Sequence, residues 1–319
     1  MNKNIVSALF FAVSSFFLYG QQIPLFTQTS ASSFLYNPAI AGTKQILDFR
    51  MGYRSQWTGL EGAPQTEYAS VNARLLYGSM GLGGFVYQDQ TGPTSRTDYT
   101  GAYAFHLRFP DVELSLGISG SMMQYTINGP KITVQTPGDV AVDQNAAKTI
   151  LAPDASAGFY IYNDRFHFGF SALNLLDSKI NTYPVNVVIV DGSTLTPHLF
   201  MSFGYNFSGN PDYVWENDAF AFSFKASPIL VGYSLRVFCK KTFIIGTAIR
   251  FYDAVAFQVG YIFANNTFNI CYSYDVATSD LRYYNNGSQE VTLIYSIGAR
   301  KKAKRGNDVF QQQKYGYMF

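Results

Sequence analysis

Apolar and polar residues alternate along most of the chain, with the period of two that a half-buried β-strand produces. In the clearest segment, Leu114, Leu116 and Ile118 share one face, whereas small and polar residues occupy the other. Most such segments have 8 to 14 residues, close to the roughly 9–11 that a tilted strand needs to cross a bilayer. The pattern predicts about fourteen strands, near Ile46–Tyr53, Thr66–Tyr77, Met80–Tyr87, Arg96–Phe109, Val112–Tyr125, Ala155–Tyr162, Phe166–Leu173, Leu195–Phe207, Ala219–Ala226, Tyr233–Lys240, Phe243–Phe251, Val255–Phe263, Phe268–Asp275 and Gln289–Ile297.

Short and long connections alternate between these strands. The tight, turn-forming connections Gly78-Ser79 and Pro110-Asp111 follow even-numbered strands. The long connections Thr126–Asp154 and Asn174–Thr194 follow odd-numbered strands, although Ser208–Asp218 is longer than its even position suggests. Outer-membrane barrels have short periplasmic turns and longer external loops, so we predict an all-β, transmembrane antiparallel β-barrel with both chain ends in the periplasm. An even strand number then allows closure, which leaves no strand edge in lipid.

The composition agrees with a barrel and excludes two other classes of protein. Charged residues make up 14% of the chain and aromatic residues 17%, and the mean hydropathy is −0.01. An ordinary soluble domain contains about 25% charged residues, whereas a helical membrane protein is far more apolar. In a barrel, lipid-facing apolar residues alternate with lumen-facing polar ones, so the average lies near zero. The formal net charge of +2 gives no indication of nucleic-acid binding.

The first 20 residues have the features of a secretory signal peptide. Lys3 supplies the positive charge, Ile5–Leu18 is mostly apolar, and cleavage after Gly20 would make Gln21 the mature N-terminus. The alternative, an uncleaved anchor, requires a longer apolar run. The predicted organisation is a signal peptide at 1–20, an N-terminal periplasmic or lumen segment at 21–45, the outer-membrane barrel at 46–298 and a basic periplasmic tail at 299–319.

The two segments that flank the barrel each have two interpretations. Residues 21–45 include the turn-forming pair Asn37-Pro38, and they either fold under or into the lumen or form a disordered leader. The tail is basic between Arg300 and Arg305, which indicates either a solvated segment or one that docks a partner.

Known catalytic motifs are absent from the sequence. His106, His167 and His198 lie on the polar phase of their strands, but no nucleophile elbow, zinc motif or phosphate-binding loop accompanies them. We therefore expect no enzymatic activity, no cofactor and no metal site. The strand phase points Cys239 outward and Cys271 inward, which favours two unpaired residues over a disulfide. Charged residues on the lumen phase either pair across strands or line a polar channel: Asp48, Arg50, Arg74, Asp98, Arg108, Arg236, Arg250 and Glu290.

Four regions of the sequence carry a resemblance to a known family. They are Asn37-Pro38-Ala39-Ile40-Ala41-Gly42, Tyr53-Arg54-Ser55-Gln56-Trp57-Thr58-Gly59-Leu60-Glu61-Gly62-Ala63-Pro64, Tyr160–Phe166, and Ser273-Tyr274-Asp275 with Thr278–Leu281 and Gly287–Glu290. On these segments, the sequence resembles the PorP/SprF family of type IX secretion system membrane proteins over nearly the whole mature chain. It departs from the family pattern at Gln289, where members often have His, and in its basic tail.

The resemblance implies a non-enzymatic barrel of the bacterial outer membrane that works in type IX secretion, the route by which proteins reach the cell surface. Some members are linked to gliding motility. The implied partners are periplasmic ring or lipoprotein subunits of the secretion system, secreted cargo proteins that are exported or attached to the surface, and outer-membrane lipid. An alternative function that remains open is a transport channel for small or hydrophobic solutes.

Two of the motifs lie in predicted external loops that should be neighbours. One loop follows the first strand and the other precedes the last, and these two strands meet when a barrel closes. We expect the loops to form one surface, either a structural clasp or a cargo-docking patch. The candidate residues of this surface are Arg54, Gln56, Trp57, Gly59, Gly62, Pro64, Tyr274, Asp275, Ser279 and Leu281, and those of the N-terminal motif are Asn37, Pro38, Ala39 and Gly42.

Overall fold

The computed structural model describes residues 23–44, 47–75, 79–132, 147–180, 193–210, 212–224, 228–263 and 267–297. The expected signal peptide and the expected basic tail lie outside these ranges. Within the ranges, the chain is almost entirely antiparallel strand, preceded by a short segment of helical turns.

Fourteen of the strands form one closed sheet, and two short ones form a separate hairpin in the loop after β7. The helical elements are α1 (Thr29–Ser32) and the 3-10 helices Ser33–Leu35, Pro38–Ile40, Gly129–Lys131 and Asp280–Tyr283. The strands are β1 (Leu47–Ser55), β2 (Gln65–Leu75), β3 (Met80–Thr91), β4 (Thr94–Arg108), β5 (Glu113–Asn128), β6 (Ala147–Tyr162), β7 (Phe166–Leu173), β8 (Lys179–Ile180), β9 (Ser193–Thr194), β10 (His198–Asn210), β11 (Tyr213–Phe224), β12 (Leu230–Cys239), β13 (Phe243–Arg250), β14 (Ala254–Phe263), β15 (Phe268–Ala277) and β16 (Ser288–Ile297).

The barrel closes by pairing of β1 with β16. The register of this seam runs from Leu47 opposite Ile297 to Ser55 opposite Gln289. Each of the other barrel strands also pairs with a neighbour on both sides, and all the pairings are antiparallel. Closure matters because a backbone polar group without a partner costs several kcal/mol in lipid. The predicted fold class, a transmembrane antiparallel β-barrel of about fourteen strands, is therefore confirmed.

Side-chain exposure alternates along the strands in the phase that the sequence predicts. On β1, the apolar side chains of Phe49 and Met51 are exposed on the outer face, whereas Asp48, Arg50 and Arg54 are buried on the inner face. Lipid covers the exposed apolar band on the outer face. The buried polar side chains show that the packed core of the protein lies inside the barrel.

Several strands differ from their predicted extents, β6, β10 and β11 among them. The expected connection Ser208–Asp218 is largely strand, because β10 continues to Asn210 and β11 begins at Tyr213. β6 begins at Ala147 instead of Ala155, and the sequence obscures this because Pro153 cannot donate a ladder hydrogen bond. The added part of β6 lies beyond its pairing with β7, so β5 and β6 rise together on the external side.

The N-terminal residues 23–44, here called the plug, lie inside the lumen. Phe26 packs edge-on against Tyr68 of β2, with ring centroids 4.8 Å apart. Tyr36 lies 5.1 Å from Phe200 of β10, and these two strands are on nearly opposite sides of the barrel. The plug therefore spans the lumen and forms a common core with the inner wall.

Replacing Ile118 with Arg should destabilise the barrel by about 2–4 kcal/mol, because this side chain lies midway along the lipid-facing side of β5. Ile118 is 62% exposed. Gln124 lies on the same face nearer the external end, and Gln124→Arg should cost only about 0–1 kcal/mol. Urea titration of both variants in lipid vesicles measures the free energy of unfolding. Equal losses at the two positions would contradict the assigned membrane-embedded stretch.

Candidate functional site

The N-terminal motif forms a turn that seats the plug against the barrel wall. Asn37 Oδ1 accepts a hydrogen bond from the backbone N–H of Ala39 at 2.9 Å, and Asn37 Nδ2 donates to the carbonyl of Phe159 at 3.0 Å. Pro38 occupies the first turn of the following 3-10 helix, where a missing N–H has no cost. Asn37 and Ala39 are fully buried, so the motif is directed at the wall of the lumen.

Glycine residues on the inner wall leave the space that this turn occupies. A Cβ atom on Gly158 would lie 2.5 Å from Asn37 Oδ1, and one on Gly117 would overlap the backbone of Ala39. Gly42 ends the motif with φ of +70°, a conformation that other residues rarely adopt. The motif and the wall glycines therefore have complementary shapes.

A buried ionic cluster lies beside the outer end of the plug. Arg54 Nη2 lies 2.7 Å from Asp275 Oδ2, and Arg54 Nη1 lies 3.1 Å from Glu290 Oε2. Arg250 Nη2 lies 2.9 Å from the same Asp275 oxygen, and Arg250 Nε lies 2.6 Å from Asp253 Oδ2. The cluster joins β1, β13, β15 and β16 near their external ends.

Thr27 of the plug lies at the centre of this ionic cluster. Its hydroxyl donates to Asp275 Oδ2 at 2.6 Å and accepts from the Nη1 atoms of both arginines, each at 2.6 Å. The backbone N–H groups of Thr27 and Gln28 donate to Glu290 at 2.7 and 3.0 Å. Since buried charges are costly unless they are paired and hydrogen-bonded, the plug supplies part of what the cluster needs.

The two external motif loops lie side by side, as closure requires. The N–H of Thr58 donates to the carbonyl of Gly287 at 2.8 Å, and the N–H of Asn286 donates to the carbonyl of Thr58 at 2.7 Å. The N–H of Trp57 donates to Ser288 Oγ at 3.0 Å. These bonds extend the pairing of β1 with β16 beyond the strands, so the loops form one continuous surface.

The first of these loops has a defined backbone shape. Its base is closed by a hydrogen bond of 2.9 Å from the N–H of Gln56 to the carbonyl of Pro64. Gly59 and Gly62 adopt φ angles of +96° and +71°, and Trp57 adopts +48°. Positive φ is strained for a residue such as Trp, so the bonds around Trp57 hold it in place.

The second loop is tied to its own strand and exposes its tip. Tyr274 Oη donates to the carbonyl of Asn286 at 2.9 Å. Ser279 precedes the 3-10 helix Asp280–Tyr283 but makes no capping hydrogen bond with its side chain. Leu281, in this helix, is 38% exposed.

The structure distributes the predicted residues over three places. Arg54 and Asp275 are corrected from the external surface to the lumen, because β1 and β15 continue past them and strand alternation turns both side chains inward. The N-terminal motif, Asn37, Pro38, Ala39 and Gly42, lies in the plug. The external surface or the strand ends beneath it hold Gln56, Trp57, Gly59, Gly62, Pro64, Tyr274, Ser279 and Leu281.

The three histidines occupy separate surroundings. His106 Nε2 lies 3.0 Å from the carbonyl of Ala41 in the plug. His167 Nε2 lies 3.4 Å from Asp218 Oδ1, and His198 packs against aromatic rings of β11. These histidines therefore do not share one site.

Among the residues that the structure describes, no group of three or more His, Cys, Asp or Glu side chains could hold a metal ion. Both Cys239 and Cys271 are free. None of the helices in the described ranges has the length and apolar character to cross a membrane.

Replacing Arg54 with Met should lower the free energy of unfolding by about 3–5 kcal/mol, because it leaves the buried carboxylate of Glu290 without a cationic partner and that of Asp275 with Arg250 alone. Arg282 is an exposed arginine in the second loop, and Arg282→Met should cost less than about 0.5 kcal/mol. Denaturant titration of the refolded proteins measures both changes. A loss in Arg54→Met no larger than in this control would show that the cluster does not hold the fold.

Comparison with known proteins identifies a family. The family model described as type IX secretion system membrane protein PorP/SprF matches residues 18–295. No curated protein matches the sequence.

Several solved structures have a similar shape. Outer membrane protein Omp33 of Acinetobacter baumannii is 10% identical, with 81% of this chain and 100% of that chain covered and a TM-score of 0.42. A FadL homologue of Pseudomonas aeruginosa is 10% identical, with 87% and 95% covered and a TM-score of 0.45. The toluene transporter TodX of Pseudomonas putida is 8% identical, with 86% and 98% covered and a TM-score of 0.47. These likenesses are too distant to carry a functional argument.

The family match includes all four motif regions and most of the barrel. The protein is an outer-membrane β-barrel, and it belongs to the PorP/SprF family of type IX secretion system membrane proteins.

Proposed function

We propose that the protein is a plugged scaffold for type IX secretion, which supports export or surface attachment of cargo proteins and/or docks periplasmic secretion or gliding machinery. Family membership supports the assignment to type IX secretion. The observation that carries the scaffold role is the plug, because a channel for solutes needs a continuous path through the lumen.

The packing of the plug supports a closed lumen. Phe34 and Tyr36 are at most 2% exposed, so their rings have protein on all sides. A cavity beside Phe34 and Pro38 has a volume of about 30 Å³. One water needs roughly 10–15 Å³ of such volume, so this space holds about two waters and no larger solute. The plug therefore disfavours the alternative of a solute channel.

The external surface supports a protein partner. Tyr283 and Tyr284 are 70% and 72% exposed in the second loop, beside the exposed Leu281. Tyrosine is enriched at protein interfaces, where it combines apolar area with a hydrogen-bonding group. We assign the bonded parts of the two loops, around Trp57 and Gly287, to a structural clasp, and the exposed tip to cargo contact.

The purified protein should give no stable conductance steps in planar lipid bilayers, because the plug obstructs the lumen. Deletion of residues 23–42 removes the obstruction and should produce steps, with heat-modifiable gel migration as the control for folding. Steps of the same size in the intact protein and in the folded deletion variant would favour the solute channel.

Purification in mild detergent should bring down periplasmic or secreted components of the type IX system. The double variant Tyr283→Ala/Tyr284→Ala should keep the fold and the periplasmic partners but lose cargo, because it removes the exposed tip. Tyr205→Ala, at an exposed tyrosine near the periplasmic end, is the matched control and should retain cargo. A barrel free of partners in several detergents, in cells whose secretion is unchanged by its loss, would refute the scaffold role.

A further inference from the structure

A cavity of about 320 Å³ lies between the first external loop and the turn that joins β3 to β4. Its lining includes Ser55, Thr58, Leu60, Gln65, Gln90 and Gly92. This volume falls within the range of small-molecule sites, roughly 300–1,000 Å³. The cavity takes no part in the plug or the ionic cluster, so the scaffold role does not account for it.

Apart from the apolar Leu60, the side chains that line the cavity are polar or small, and none is charged. Within the described ranges, the hydroxyl of Ser55 and the carboxamides of Gln65 and Gln90 have no protein partner. A carboxamide offers both a donor and an acceptor, and a hydroxyl does the same. The exposed Glu61 and Glu67 lie close by in the sequence, and the lining side chains supply no cation, so a phosphate or carboxylate ligand would meet repulsion.

The strand register places the cavity just beyond the lipid-facing band. Gln65 of β2 pairs with Gln90 of β3, and both side chains face outward. Two residues closer to the membrane, the outward-facing pair is Glu67 and Gln88. The outward position after that on β3 is Val86, which is exposed and apolar. On β3, the cavity residue Gln90 therefore lies ~13 Å along the strand from Val86. On β1, the lining residue Ser55 is one outward position beyond the exposed aromatic Tyr53. Saccharides of outer-leaflet glycolipids occupy this layer.

The backbone around the cavity is already hydrogen-bonded. The N–H groups of Gln56, Thr58 and Leu60 donate within or between the two loops, and that of Gly92 donates to the carbonyl of Gly62 at 2.9 Å. A polypeptide that adds as a strand needs free backbone groups, so this site does not suit one. The binding groups that remain are side-chain hydroxyls and carboxamides, which match the hydroxyl groups of a sugar.

The cavity is formed before any ligand binds. Gly59, Gly62 and Gly92 hold φ angles of +96°, +71° and +55°, and the bond between Gly92 and Gly62 ties the loop to the turn. A pre-organised site loses little conformational entropy on binding. We propose that this cavity binds an uncharged sugar unit of a cell-surface glycan, carried either by an outer-leaflet glycolipid or by a secreted glycoprotein.

The test uses the full chain in detergent and the fluorescence of Trp57, which adjoins the cavity residue Thr58. The chain contains two tryptophans, so the Trp215→Phe background leaves Trp57 as the only reporter. The first probe is the core oligosaccharide of the outer-leaflet glycolipid from the bacterium that makes this protein, freed of lipid and dephosphorylated. The second probe is neutral glycan released from secreted proteins of the same cells. We expect a saturable change with at least one probe, and the tighter probe identifies the source.

Matched variants show whether the response comes from the cavity. Gln65→Ala/Gln90→Ala should weaken binding roughly tenfold, because two hydrogen-bonding side chains are lost. Gln88→Ala removes the neighbouring outward carboxamide that does not line the cavity, and it should leave binding unchanged. The proposal is overturned if neither probe gives a saturable change, or if Gln88→Ala weakens binding as much as the double variant does.

Discussion

The structure depends on the exchange of hydrogen bonds between the plug and the inner wall of the barrel. Thr27 and Gln28 donate to carboxylates that lie at most 1% exposed, and Asn37 donates to a wall carbonyl. Neither side is satisfied alone: the wall keeps charges and glycine-lined space in its interior, and the plug has only short helical turns and no core of its own. Because unpaired buried charges are costly, the empty barrel and the free segment are both poor structures, whereas their combination is a packed one.

Strand alternation made most of the fold predictable, because lipid outside and polar packing inside impose opposite chemistry on adjacent residues. It failed where a residue hides the pattern, as Pro153 does in β6. The N-terminal motif was recognisable, but its location was not, since the turn at Asn37-Pro38 suits a segment inside the lumen and a disordered leader equally well.

Arg54 was assigned to the external surface instead of the lumen, because the sequence motif that contains it continues from the end of β1 into the first external loop. The contacts of Thr27 and Gln28 with the ionic cluster could not be predicted from the sequence, because both residues bind Glu290 through backbone N–H groups, which every residue except proline has. Gly117 and Gly158 were a weak indication of the plug, because glycines on the lumen-facing side of a strand leave space for another segment.

The same short stretches of sequence serve the outside and the inside of the barrel. Arg54 lies three residues before Trp57, and Glu290 lies two residues after Ser288, so the ionic cluster and the joined loops are connected through β1 and β16. Gln289 lies between Ser288 of the joined loops and Glu290 of the ionic cluster, but it faces outward beside Ser55. The buried, charged side chains of the lumen and the exposed side chains of the surface are thus separated by single residues of one strand.

The position of the ionic cluster on the closing seam has a consequence for biogenesis. Arg54 and Glu290 are direct cross-strand neighbours of β1 and β16, and Thr27 reaches a partner 263 residues away in the chain. The plug is made first, but its final partners are made last. Arrival of the final strand therefore completes both the wall and the socket of the plug, so a chain that is truncated before β16, or that closes in the wrong register, cannot retain its own N-terminal segment.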